Sequence, residues 1–276
     1  MMNGRCVASA IRMTNSRVVL QPAYVLHQRA YRDTSSLLEL LTPEHGRIGL
    51  VARGSRGAKP RWRGLLQPFQ PLLVSWTLRG ELGTLTEAEA KGAALTLAPA
   101  FLASGFYLNE VLLRLLHRHE PQLALFGWYD IALRGLADLA PLEDASVQAL
   151  EILLRRFEIQ LLMELGYGLV FDHDVESGAP IAADGDYRYQ LERGPVRVDA
   201  AQREEEAEFL GPLVSGATLQ ALQRHDLSAA QTRQQAKRLL RGVLAHYLGP
   251  KPLHSRQLMQ NMNARQAGQT PLKTQE

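Results

Sequence analysis

The chain has 276 residues, 46% of them hydrophobic and 21% charged, with a formal net charge of +3. That length and composition predict two globular domains, each with its own core, and exclude a disordered tail protein; no run of 18 apolar residues exists to form a membrane-spanning helix. The single cysteine, Cys6, rules out an intrachain disulfide and a cysteine-built zinc site, and fits a reducing cytoplasm.

The first 12 residues, MMNGRCVASAIR, are too short and too interrupted by Arg5 and Arg12 for a signal peptide. They read as a disordered extension, with Met13 as an alternative start. Five runs of strand length follow: Ala23–Tyr31, Ser36–Thr42, Gly46–Arg53, Pro68–Leu78 and Leu82–Ala90, bounded by turn signals at Pro43–Gly46 and Arg79–Gly83. With no room for a crossover helix they predict antiparallel pairing, and so small a sheet hides its edges by curling into a five-stranded oligonucleotide-binding (OB) barrel over residues 13–91. The periodicity then changes from 2 to 3.6. LAPAFLASGFYLNEVLLRLLHRHEP predicts a helix ending at Pro121, followed by helices over Gln122–Leu139 and SVQALEILLRRFEIQLLMELGYG, the latter capped by Asp144 or Ser146. A Gly/Pro/Asp-rich excursion, 171–199, holds two short strands, Tyr187–Leu191 and Val196–Val198. Helices resume at Ser215–Arg224, Ser228–Tyr247 and Ser255–Asn261, so that residues 92–262 form a helical domain. Residues 263–276 read as a disordered tail. The fold class is therefore multi-domain α+β.

The modest net charge hides a polarised molecule. Residues 1–80 carry twelve Arg/Lys, eleven of them Arg, against three acids, a net of +9, and the remainder is at −6. Five of those cations, Arg53, Arg56, Lys59, Arg61 and Arg63, fall in VARGSRGAKPRWRG (Val51–Gly64), whose glycines allow close approach of backbone to ligand. Arg29 and Arg32 flank Tyr31 and extend the patch. Arginine forks grip phosphates and lie flat on bases, so the pattern points to nucleic acid; the alternative is a solvated basic loop. Tyr31, Trp62 and Trp76 are the candidate stacking platforms: Trp62, between two arginines, reads as exposed, Trp76 inside an apolar strand as core, and Tyr31 as either.

The segments AYVLHQRAYRDTSSLLELLTPEHGRIGLVARGSRG and LLQPFQPLLVSW, with their T-x-E-x-G hairpin and LQPF strand, are followed by LRRFEIQLLMELGYG and then by LGPKPLHSRQLM. In that order, over about residues 20–262, the chain resembles the RecO family of bacterial recombination mediators. The resemblance implies an OB domain and a helical domain, binding of single- and double-stranded DNA, and annealing of complementary strands. It also implies partnership with RecR and with the acidic C-terminal tail of single-stranded-DNA-binding protein (SSB), so that RecA is loaded, and a cytoplasmic, nucleoid-associated location. Many relatives hold zinc with four cysteines after the LGY motif, where this chain has FDHDVESGAP with only Asp172, His173 and Asp174. No metal and no cofactor are expected here, the excursion being held by strand packing.

In LRRFE, Arg155 and Arg156 cannot both face water on an amphipathic helix, and either at the rim of an apolar groove suits an acidic tail ending in a carboxylate. The alternative for Arg155 is an ion pair with Glu151. Lys237, Arg238 and Arg241 form a second cluster, or a solvated helix face. Catalytic motifs are missing: Gly54-Ser55-Arg56-Gly57 lacks the P-loop lysine, Ser35–Ser36 lacks a nucleophile elbow, and the eight histidines are scattered. The expectation is a non-enzymatic DNA-binding mediator. An RNA-binding OB protein and a metal-dependent nuclease are the rivals.

Overall fold

The computed structural model describes residues 16–80, 82–139, 144–199 and 211–259. The extension 1–12 with Cys6, the alternative start Met13 and the tail 263–276 lie outside them. The chain divides into two units, residues 1–94 with 117–121, and 95–116 with 122–276.

In the first unit β1 (Ser16–Tyr31), β2 (Ser35–Thr42), β3 (Gly46–Ala52), β4 (Leu72–Arg79) and β5 (Leu82–Ala90) close into a barrel in the order β1-β2-β3-β5-β4. Closure rests on β1, which is longer than its sequence pattern indicated. Its first half pairs with β4 and its second with β2, with bulges at Val18/Gln21 and Val25/His27 that coil it around the barrel. Four of the five ladders are antiparallel. The fifth, Gly49–Val51 against Leu82–Thr84, is parallel, because the 53–71 loop and β4 together supply the crossover that no helix was available to make. Val25, Leu38, Leu40, Ile48, Leu50, Leu72, Val74 and Trp76 fill the interior. The LQPF strand begins late, at Leu72, and the residue that follows the motif is a brace: Gln70 donates to the carbonyls of Pro71 (2.9 Å) and Gly92 (3.1 Å), tying the start of β4 to the end of β5.

The T-x-E-x-G hairpin receives segment 117–121. The sequence reads as helical up to Pro121, but the first helix stops at Leu115, and the residues beyond it form bridges from Arg118 to Gly46 and Arg47. His119 N–H donates to the Arg47 carbonyl at 3.0 Å. The nearly buried Glu39 carboxylate takes Arg47 Nε at 2.9 Å and the Arg118 guanidinium beside it. Gly46, at φ +60°, has no room for a side chain: a Cβ would stand 1.7 Å from the Glu120 carbonyl oxygen. Thr42 Oγ1 donates to the Gly46 carbonyl (3.0 Å) and Glu44 accepts from Gln21 Nε2 (3.2 Å), so each motif position has a structural task.

The second unit holds α1 (Pro99–Leu115), α2 (Leu123–Asp138), α3 (Asp144–Glu164), β6 (Asp186–Gln190), β7 (Gly194–Val198), β8 (Leu213–Ser215), α4 (Gly216–Gln223), α5 (Ala230–Leu248) and a short helix at 254–259. Its helices pack through Leu108, Leu112, Leu133, Phe157, Leu161, Leu239 and Val243. The excursion strands β6 and β7 belong to a three-stranded sheet, β7-β6-β8; the third strand, only three residues long, left no sequence pattern. In LGYG, Gly166 (φ +74°) ends α3 and Tyr167 stacks on Tyr247 of α5, centroids 3.7 Å apart. The LGPKPLHSRQLM segment is tied to α1 at both ends. Arg114 donates to the carbonyls of Leu248 (2.6 Å) and Lys251 (2.8 Å), while Glu110 accepts from the N–H groups of His254 (2.9 Å) and Ser255 (2.8 Å).

The excursion is held by more than packing. Asp174, 4% exposed, accepts the N–H groups of Glu176 (2.9 Å) and Ser177 (2.7 Å) on one oxygen and that of Arg197 in β7 (2.6 Å) on the other. Burial alone pushes its carboxyl up, but the donors from Ser177, Arg197 and Glu176 outweigh that and hold it below the ordinary value. A zinc site does not fit these residues: both Asp174 oxygens are engaged, His173 Nδ1 bonds Asp172 at 2.8 Å, and the chain's one thiol is at position 6.

Three outcomes are expected. Gly46→Ala lowers stability by about 2 kcal/mol or more, read from denaturant midpoints, because it combines a steric clash with a left-handed backbone. For Asp174, a depressed native pKa contributes stability that is complete above the unfolded value near 4 and is lost as pH falls through the native one. Asp174→Asn, which turns an N–H toward that of Arg197, lowers stability at pH 7 by roughly 1–3 kcal/mol and flattens this acid limb. Chelator leaves the Tm unchanged; a chelator-sensitive melt with about one zinc per chain contradicts the assignment.

Candidate nucleic-acid interface

The 53–71 loop is anchored from within. Trp62, 8% exposed, enters the barrel interior with Leu66 and closes that end of the core, with Leu65 packed against it. This corrects the expectation of an exposed Trp62: the indole is structural, and no base has access to its face. Trp76 lies in the core as its strand suggested, at 2% exposure. Of the three aromatic candidates, half-buried Tyr31 alone presents part of its ring to solvent.

Polar contacts shape the rest of the loop. Arg61 N–H donates to the Gly54 carbonyl (3.2 Å), closing a turn that Gly54 (φ +70°) permits. The Arg61 guanidinium lies over the Trp62 ring at 4.7 Å and donates to the Thr86 carbonyl of β5 (2.7 Å). Arg56 N–H donates to the Thr34 carbonyl (2.9 Å), and Ser55 Oγ bonds Ser36 Oγ (2.9 Å) and the Ala52 carbonyl (2.9 Å). These bonds stitch the loop to the β1–β2 turn, where Arg32, at φ +54°, sets its guanidinium 5.3 Å from the centroid of Tyr31. The loop and the turn, about 20 residues apart in the chain, form one end of the barrel.

Arg29, Arg32, Arg53, Arg56, Lys59, Arg61 and Arg63 are all exposed there. Among the described residues none of the seven has a carboxylate partner. Arg47, Arg114, Arg118, Arg134, Arg233 and Lys237, elsewhere in the chain, are each paired. Apart from the donor that Arg61 gives to Thr86, cations left without counter-charges have donors to offer an incoming anion, and arginine forks suit phosphate oxygens.

Arg155 and Arg156 separate. Arg155, 8% exposed, pairs with Glu158 one turn on, not with Glu151, and Tyr107 of α1 donates to the same carboxylate at 2.7 Å. Burial, with the Glu158 charge beside it, pushes the Tyr107 hydroxyl well above the ordinary tyrosine value. Arg155 is therefore a core residue and does not stand at the rim of a groove. Arg156 is exposed, on the helix face it shares with Ile159 and Met163. Those two residues, with Leu169, Phe171, Leu222 and His225, line a groove of about 270 Å³ whose walls come from segments too far apart in the chain to be assembled by reading it.

The comparisons agree with this architecture. Residues 13–93 match the family model "Recombination protein O N terminal" and residues 99–257 "Recombination protein O C terminal". The chain is similar to the DNA repair protein RecO of Nitrosococcus oceani, 49% identical over 246 residues, covering 89% of this chain and 94% of that one. The corresponding protein of Alkalilimnicola ehrlichii is 45% identical over 259 residues (94% and 98%), and that of Methylococcus capsulatus 46% over 246 (89% and 95%). With both units matched in order and relatives aligned over nearly their whole length, the chain belongs to the RecO family of DNA repair and recombination proteins.

Proposed function

We propose that the barrel end binds single- and double-stranded DNA through its phosphates and promotes annealing of complementary strands, without catalytic chemistry. The observation that carries this reading is the set of seven exposed cations, without a carboxylate partner among the described residues, on the end of β1, the turn after it and the loop that Trp62 and Arg56 hold in place. Lowering the repulsion between two phosphate tracks while leaving bases free requires no reactive group. In the cell such a protein would act as a mediator that, with RecR, helps load RecA on SSB-coated DNA. An RNA strand offers the same phosphates, and annealing of DNA coated with SSB separates the DNA reading from it.

The acidic tail of SSB is assigned to Arg156 and the groove beside it, whose lining mixes Ile159, Met163, Leu169, Phe171 and Leu222 with Asp172, Gln223 and His225. An exposed guanidinium next to Ile159, Met163 and Phe171 pairs a carboxylate while aliphatic or aromatic tail residues enter the groove.

Replacing Arg53, Arg56, Lys59, Arg61 and Arg63 with Ala, with Trp62 left in place, is expected to weaken DNA binding. The slope of log affinity against log salt flattens by roughly 0.7–0.9 for each phosphate that is no longer neutralised. An unchanged slope in the folded variant removes the interface from this end of the barrel. A fluorescent SSB-tail peptide is expected to bind Arg156→Ala about tenfold more weakly, one charge-assisted bond being worth roughly 1.5–3 kcal/mol, with naked-DNA binding intact. Arg155→Ala instead costs stability of about 3–5 kcal/mol by stranding Glu158. Wild-type peptide affinity in Arg156→Ala takes the tail elsewhere.

A further inference from the structure

The mildly acidic balance of the chain beyond residue 80 conceals a second basic segment. Residues 224–256 contain seven Arg/Lys and a single acid, Asp226. The structure sorts these cations. Arg233 and Lys237, on one flank of α5, are held by Glu151 of α3 at 3.6 and 3.2 Å, and so help pack the two helices. Arg238 and Arg241, three residues apart and therefore on one face, are exposed, opposite the buried stripe of Ala236, Leu239, Leu240 and Val243. Past the end of α5, Lys251 is exposed between two prolines, and its backbone carbonyl is fixed by Arg114 at 2.8 Å.

Acids near this region are already committed. Glu151 takes Arg233 and Lys237, Glu192 takes His246 at 3.1 Å, Glu110 takes the N–H groups of His254 and Ser255, and Asp226 takes the Ser228 N–H at 3.0 Å. Among the described residues, Arg238, Arg241 and Lys251 have no carboxylate partner; exposed Arg224 and Arg256, at the two ends of the segment, have none either. The run Glu204, Glu205, Glu206 and Glu208 lies outside the described residues. The exposed large hydrophobic residues are also elsewhere, none of them on α5. Among the described residues, α5 therefore offers no exposed large apolar side chain beside Arg238 and Arg241 to anchor an acidic, hydrophobic peptide. A phosphate backbone needs only the cations.

We propose that Arg238, Arg241 and Lys251 form a second phosphate-binding strip, on the helical unit, that takes the backbone of a nucleic-acid strand independently of the barrel end. The inference rests on the reading of this chain as a strand-annealing protein, for which two tracks of cations on one chain let two strands be held at once. Because the strip meets phosphates and not bases, it is blind to sequence and strongly salt-dependent.

The experiment compares four full-length proteins: wild type, the five-site barrel variant, Arg238→Ala/Arg241→Ala/Lys251→Ala, and the two sets combined. Each is titrated with a short fluorescent single-stranded DNA across a salt series, with melting curves to verify folding. The barrel variant is expected to retain weak, salt-sensitive binding, and the combined variant to lose it. The helical triple variant should flatten the wild-type slope by about two, the value for three phosphates left unneutralised. Arg238→Lys/Arg241→Lys, which keeps the charges, should leave the slope in place. The inference is overturned if the triple substitution changes nothing in either background, or if it reduces binding of an acidic peptide and not of DNA. If the barrel variant binds as wild type does while the triple variant does not, the barrel reading fails and the strip stands alone.

Discussion

A five-stranded barrel of this size has an interior that its own strands do not fill, and the open end beside the β1–β2 turn must be stopped by something apolar. Here the stopper is the indole of Trp62, carried by the same loop that bears the cations. An indole buried to this depth is worth about 3–5 kcal/mol against alanine, several times the roughly 0.5–1.5 kcal/mol of any one hydrogen bond in the loop. The loop is therefore fixed chiefly from inside, and its arginines are displayed because the tryptophan is not. A binding surface and a core share one short stretch of chain, so neither can be altered without regard to the other.

The second constraint is Glu39. A carboxylate at such burial is tolerable only with cationic partners, and it has Arg47 from its own hairpin and Arg118 from a segment reached by way of the first helix. Segment 117–121 thus belongs to the barrel although it connects two helices of the other unit, and the backbone passes between the units three times. A truncation after residue 94 leaves the barrel without this segment and Glu39 without Arg118.

The legible parts of the fold were those written in local pattern. Alternating strands, turn residues and the change to helical periodicity pointed to the barrel and the helices, and the charge distribution to the basic loop. Trp62 was misread because flanking arginines describe only its chain neighbours, whereas its burial follows from the size of the barrel opening. Arg155 was half legible: Glu158, three residues on, falls on the same helix face within the LRRFE motif itself, but Tyr107 comes from 51 residues away. The end of α1 was hidden because LLHRHEP keeps a helical pattern while tertiary bonding draws it into an extended bridge. Asp174 left a trace, since an aspartate followed three residues later by serine is ordinary turn chemistry, but its bond to β7 is not readable from spacing.

That last residue changes what the excursion depends on. A thiolate zinc site ties its loop to the supply of a trace metal and to the reduced state of sulfur, and oxidants attack such sulfur directly. Oxidative damage is among the circumstances in which DNA repair is demanded. A carboxylate accepting three backbone N–H groups has no electrons to give up at biological potentials and no ion to surrender. The excursion of this chain accordingly keeps its shape through changes in redox poise and metal supply that would dismantle a cysteine-built counterpart.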